Sequence, residues 1–119
     1  MALESGMREA VRRVVMSFHR YAKSQGWQKE DYRVYYETNP DWGRIHVVLG
    51  ARRFPRETTE ENWLSVIDFI DEDLKDSPEL LDAISLTLRT FDQLEGRGLY
   101  ALNPSYVDSE DVFDSAGST

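Results

Sequence analysis

The two histidines are the side chains best suited to proton transfer or metal binding in this sequence of 119 residues. His46 lies in a run of alternating residues typical of a strand, on the same side as Arg44, and is the better candidate for a functional site. A histidine at such a position also serves as an ordinary hydrogen-bonding group between strands. His19 lies in a helical pattern near Arg12 and Lys23, whose positive charges oppose both its protonation and the binding of a metal cation. We therefore predict no metal site at His19.

Other patterns that carry catalytic or cofactor chemistry do not occur in the sequence. The glycines have neither of the spacings that bind phosphate groups, and no serine has the G-x-S-x-G context. The absence of cysteine excludes thiolate metal sites, disulfides and thiol catalysis. The acidic run over residues 68–76 lacks the ligand order of a calcium-binding loop and is interpreted as a solvated helix face. We expect no cofactor and no metal ion, and the sequence favours a binding protein over an enzyme.

A pair of carboxylates, Glu37 and Asp41, flanks a predicted turn beside aromatic residues. Acid–base catalysis and sugar binding both use carboxylate pairs of this kind. The interpretation that we favour is turn geometry together with a cross-strand pair between Glu37 and Arg44.

Arginine and aromatic side chains concentrate in the same part of the chain. Five of the fourteen aromatic residues lie within sixteen positions: Trp27, Tyr32, Tyr35, Tyr36 and Trp42. Exposed tyrosine and tryptophan beside arginine are typical of protein-binding hot spots. We predict a binding surface on one side of two strands, extended by the arginines that follow. Its residues are Arg33, Tyr35, Arg44, His46, Arg52 and Arg53.

The charge distribution limits the partners that this surface can bind. The net charge is −8, and the sequence pI of 4.7 opposes binding of nucleic acid. Residues 1–56 contain eleven Lys and Arg against six Asp and Glu, whereas residues 57–119 contain three against sixteen. The resulting charges of +5 and −13 can steer a charged partner or pair two copies head to tail.

We therefore predict a protein–protein interaction or adaptor module that binds a protein partner or associates with itself, for example as a homodimer. The alternative is a small-molecule or anion-binding domain, with or without catalytic activity, centred on His46 and Arg44.

Hydrophobic periodicity predicts the elements that position these residues. Apolar residues recur every three or four positions over 7–25, which indicates a helix that ends at Gly26. Residues 32–37 and 44–49 alternate as in strands and predict a β-hairpin, with Ile45, Val47 and Leu49 facing the core.

Two further helices are predicted from start signals and apolar spacing. Thr58 and Glu61 form a capping box at the start of one. Ser77 and Pro78 begin another, which the spacing extends to about Glu95. Residues 99–102 are candidates for a third strand.

These elements predict the α+β class: an antiparallel β-hairpin, of two or three strands, covered on one face by three helices in the order α-β-β-α-α-(β). The length fits one domain, which we place at residues 1–107, followed by a flexible acidic tail at 108–119. No apolar stretch reaches the ~20 residues that a spanning helix needs, and the basic first helix is required for the core. We therefore expect a cytoplasmic protein that does not bind membranes.

Overall fold

The four-stranded sheet at the centre of the molecule carries helices on both of its faces. The computed structural model describes residues 2–39, 43–95 and 106–109. The elements are α1 (Ala2–Ser24), a 3-10 turn (Lys29–Asp31), β1 (Tyr32–Asn39), β2 (Arg44–Ala51), α2 (Thr59–Asp73), α3 (Pro78–Ala83), β3 (Ile84–Thr90), α4 (Phe91–Leu94) and β4 (Val107–Asp108). The strand order is β3-β2-β1-β4. The predicted α+β class is confirmed, although the order of elements differs in detail.

The predicted β-hairpin is formed by β1 and β2. The two strands pair antiparallel, with Tyr32 opposite Ala51 at one end and Asn39 opposite Arg44 at the other. Gly43 has a φ of +61°, a conformation that suits glycine at the end of a hairpin loop. Because side chains alternate along a strand, this register gives the sheet two distinct faces.

The core face of the sheet lies beneath α1, α2 and α3. It carries Val34 and Tyr36 from β1, and Ile45, Val47 and Leu49 from β2. These strand residues share one hydrophobic core with residues of the three helices. The helical members are Val11, Val14, Val15, Phe18, Tyr21, Val66, Ile70, Leu74 and Leu80. The prediction that Ile45, Val47 and Leu49 face the core is confirmed.

The predicted glycine cap ends α1, and one of the two hydrogen bonds of the predicted capping box begins α2. Gly26 follows α1 with a φ of +76°, and the Trp27 amide returns to the Ala22 carbonyl at 3.0 Å. The Thr58 side chain accepts a hydrogen bond from the Glu61 amide at 3.1 Å, as expected of an N-cap.

The predicted helix from Ser77 to Glu95 is wrong. Helix α3 ends at Ala83, and residues 84–90 form β3, which pairs parallel with β2 from Ile84 beside Ile45 to Thr90 beside Ala51. The apolar residues from 80 to 94 also fit a helical spacing, but Ile84, Leu86 and Leu88 alternate with polar residues as a strand requires. Pairing with β2 satisfies backbone groups that would otherwise form an open sheet edge.

The other predicted segments lie partly or wholly outside the described residues. The candidate strand at 99–102 lies outside the described residues, and so do residues 110–119 of the predicted tail. The domain boundary at 107 stays a prediction. Among the described residues, no helix combines the length and apolar character that crossing a membrane requires.

Candidate functional site on the second face of the sheet

The second face of the sheet carries four of the six predicted binding residues. Alternation along the strands places Arg33 and Tyr35 of β1 on this face together with Arg44 and His46 of β2. The two arginines are exposed, whereas Tyr35 and His46 are half-buried. Arg52 follows β2 directly and is also exposed.

A pair of arginines lies around one aromatic ring where β2 ends. The guanidinium carbon of Arg33 is 5.9 Å from the centre of the Phe91 ring, and that of Arg52 is 5.7 Å from it. Both distances are within the range of cation–π attraction. Arg52 also donates to the Glu30 carbonyl at 3.2 Å and lies 3.7 Å from an Asp31 carboxylate oxygen. We call Arg33, Arg52 and Phe91 the Phe91 cluster.

The short helix α4 holds Phe91 in place. Thr90 caps this helix by accepting from the Gln93 amide at 3.3 Å, and the Gln93 side chain accepts from the Thr90 amide at 2.8 Å. Leu94 packs so closely over Gly50 that a Cβ at that position would overlap its Cδ1 atom. Helix α4 thus covers part of the second face beside the two arginines.

Arg44 and His46 lie at the opposite end of the second face. Arg44 donates to the Ser85 hydroxyl at 3.4 Å, and His46 Nε2 is 3.0 Å from the Thr87 hydroxyl. The His46 ring meets the Tyr106 ring edge-on, with 5.8 Å between centroids. Gly50 lies directly opposite Arg33 of the Phe91 cluster and is six residues from Arg44 along β2. At about 3.3 Å per residue, Arg44 is therefore about 20 Å from the Phe91 cluster.

A polar cluster surrounds His46 at this end. Glu37 lies directly opposite His46 across the hairpin and Arg44 lies opposite Asn39, so Glu37 and Arg44 are diagonal neighbours on the same face and their cross-strand pairing stays a prediction. Burial lowers the pKa of His46 below its ordinary value, the Glu37 carboxylate opposes this, and the Arg89 charge reinforces it. The imidazole is therefore neutral near neutral pH.

Tyr106 contributes the last member of the polar cluster. Burial raises its pKa, as does the nearby Glu37 carboxylate, to which the phenol donates a hydrogen bond; Arg89 opposes the shift. The polar cluster comprises Glu37, His46, Thr87, Arg89 and Tyr106. These groups contact one another, as expected of a rigid polar network.

Arg53 does not join either group. It is exposed beyond the end of β2, and no described contact links it to the other predicted binding residues. Phe54, the next residue, turns to the opposite side of the sheet and packs edge-on against Trp27 at 6.0 Å.

Sequence reasoning missed four residues of the second face: Thr87, Arg89, Phe91 and Tyr106. Thr87 and Arg89 fall within the predicted helix. Their alternation with Leu86 and Leu88 is the signal that could have indicated a strand. Nothing in the local sequence indicates that Tyr106 packs on His46.

Comparison of the chain with protein-family models, with curated proteins and with solved structures finds no match. The second face presents exposed arginines and half-buried aromatic rings along the length of β1 and β2.

Proposed function

We propose that the protein is a protein–protein interaction module that binds an acidic protein surface through the second face of its sheet. The observation that supports this proposal is the spread of exposed arginines over about 20 Å of that face. Carboxylates on a protein surface can meet Arg44 and the Phe91 cluster at the same time. A single small anion cannot.

The chemistry of the surface suits carboxylate groups. A guanidinium group donates two parallel hydrogen bonds to a carboxylate, and such charged pairs are stronger than neutral ones. Contact with the Phe91 ring restricts the side chains of Arg33 and Arg52, so they lose less conformational entropy when a partner binds. The half-buried Tyr35 lies between the two arginine groups and supplies apolar contact area at the centre.

A second copy of this chain offers one acidic surface of the required kind. The solvent side of α2 is rich in exposed carboxylates: Glu60, Glu61, Asp68, Asp71 and Glu72. Because α2 lies on the core face of the sheet, these carboxylates and the arginines of the second face point in opposite directions. Self-association would therefore be head to tail.

The alternative, a site for one small anion at His46 and Arg44, has weaker support. The only hydrogen bond of Arg44 to a described residue is at 3.4 Å, and the His46 ring is already in contact with Thr87 and Tyr106. A neutral imidazole also adds no positive charge for an anion.

The test compares two triple variants that lose the same charge. In the first, Arg33, Arg44 and Arg52 are replaced by Gln; in the control, Arg8, Arg12 and Lys23 are replaced by Gln, all of which are exposed on α1, away from the second face and from the carboxylates of α2. Self-association is measured by sedimentation velocity at low and high salt. Binding of other proteins is measured by quantitative cross-linking in a lysate.

We expect one of these associations to weaken at high salt and to fall about tenfold in the first variant, with little change in the control. Associations that are absent, insensitive to salt, or equally reduced in both variants would contradict the proposal. Circular dichroism verifies that each variant is folded.

A further inference from the structure

A cavity of about 700 Å³ lies between the C-terminal half of α1, residues 26–29 and the start of β1. Pockets of this size hold small organic molecules. Its walls carry the basic or imidazole side chains His19, Arg20, Lys23, Lys29 and Arg33. No described residue that lines it has a carboxylate, although the protein as a whole is strongly acidic.

Two lysines supply the positive charge that is available at this cavity. Lys23 and Lys29 are exposed, and neither forms an ion pair with any described residue. Arg20 is already held by Asp73, to which it donates from Nη2 at 2.6 Å and from Nε at 3.0 Å. The guanidinium group of Arg33, which also lines the cavity, already lies 5.9 Å from the centre of the Phe91 ring. An anion in the cavity would therefore be bound mainly by the two lysines.

The apolar part of the cavity is built around Trp27. This ring packs edge-on against Tyr21 at 5.8 Å and against Phe54 at 6.0 Å, which fixes its orientation. It is half-buried, so part of its surface remains for another group. Met16 and Val34 add further apolar lining.

The His19 imidazole in the wall of the cavity is neutral and is bound to two hydroxyl groups. His19 Nδ1 is 2.6 Å from the Tyr32 hydroxyl, and His19 Nε2 is 3.0 Å from the hydroxyl of the fully buried Ser109. Burial lowers the pKa of His19 to about 4, against the opposing charge of Asp108. A neutral imidazole donates through only one nitrogen, so one of the two hydroxyls donates to the ring while the other accepts from it.

We propose that the cavity binds a small organic anion whose carboxylate, sulfonate or phosphate group pairs with Lys23 and Lys29 while its aromatic or aliphatic body packs on Trp27. This site is separate from the proposed protein-binding surface and shares only Arg33 with it. The lysines alone would bind any anion, and the tryptophan alone would bind any apolar group. Because they line the same cavity, they favour a ligand that has both parts.

The probe for the test is anilinonaphthalene sulfonate, a fluorescent aromatic anion, titrated into the native, folded 119-residue chain. We expect saturable binding that weakens about tenfold when Lys23 and Lys29 are both replaced by Gln. The matched control replaces Lys75 and Arg8, two exposed cations remote from the cavity, and should bind as the parent does. Replacing Arg44 and Arg52 by Gln should also leave binding unchanged, which separates this site from the second face.

A second measurement locates the probe. The indole N–H resonance of Trp27 should shift during the titration while that of Trp63, which does not line the cavity, stays in place. Naphthalene sulfonate should displace the probe far better than inorganic sulfate does.

The proposal fails if native protein shows no saturable binding, if the lysine variant and the control weaken equally, or if another indole shifts instead. Equal displacement by inorganic sulfate would also overturn it, because the site would then recognise charge alone. Thermal unfolding followed by circular dichroism excludes binding to partly unfolded protein, and Trp27→Leu should reduce affinity without loss of the folded signal.

Discussion

His19 is a histidine whose protonation the fold opposes strongly. Its ring is held between the Tyr32 and Ser109 hydroxyls, and burial lowers its pKa from the ordinary 6.5 to about 4. The arginines near it in sequence led us to predict that it does not bind metal. They did not indicate its partner Ser109, ninety residues away along the chain. Such long-range contacts leave no pattern in the local sequence.

This environment makes the stability of the protein depend on pH. The unfolded chain binds a proton at His19 below about pH 6.5, whereas the folded chain binds it only near pH 4. The stabilising effect is therefore complete above pH 6.5 and is lost as the pH falls towards 4. Between about pH 7 and pH 5 we expect a loss of about 1 kcal/mol, allowing for solvent screening of the partly exposed ring.

Urea unfolding at several pH values measures this effect, with His19→Gln as the comparison. The variant lacks the titrating group, so its free energy of unfolding should fall less steeply over the same interval. His46, which is also held neutral by burial, remains in both proteins and does not affect the difference. Identical slopes in the two proteins would show that His19 titrates normally.

Among the elements, the hairpin was predictable and β3 was not. Alternation in β1 and β2 is clear, and the loop between them carries turn residues, so local sequence is sufficient. Residues 80–94 contain leucines that satisfy both the helical and the strand period. What decides between them is the free edge of β2, which only the assembled sheet provides.

Helix α4 offers a direct test of how the second face is covered. Replacing Gly50 by Ala introduces a methyl group that overlaps Leu94 Cδ1, so the end of the Leu94 side chain must move and we expect a loss of about 1 kcal/mol of stability or less. Leu94→Ala should also destabilise the protein by removing apolar contact. Because the two changes act at one contact, the double variant should be less destabilised than the sum of the singles. Chemical denaturation of all four proteins gives this coupling, and simple additivity would contradict the contact.

For the whole molecule, the sequence predicted a charge asymmetry but not its orientation. The acidic helix α2 and the arginines of the second face lie on opposite sides of one sheet. Five of the six predicted binding residues lie on or beside the second face, yet they form two separate groups rather than one site. Composition cannot indicate distances of this kind, because they depend on where each residue falls along its strand.

Hydrogen exchange tests the arrangement of the whole sheet. β2 is bonded on both sides, by β1 and by β3, and its last seven residues include six that are buried. We expect its amides to exchange most slowly, and the two residues of β4 to exchange fastest among the strands. Over residues 84–90, protection should alternate, because only every second amide of an edge strand faces its neighbour. Uniform protection there would indicate the helix that the sequence alone suggested.

The position of β2 has a consequence for synthesis on the ribosome. The hairpin can close as soon as Ala51 has emerged, but the strand that pairs with the outer edge of β2 begins only at Ile84. While the intervening residues are translated, a row of unpaired backbone donors and acceptors remains on a largely apolar strand. Neighbouring nascent chains on one polysome would carry the same vacant edge, so the risk of intermolecular pairing is highest before residues 84–90 appear.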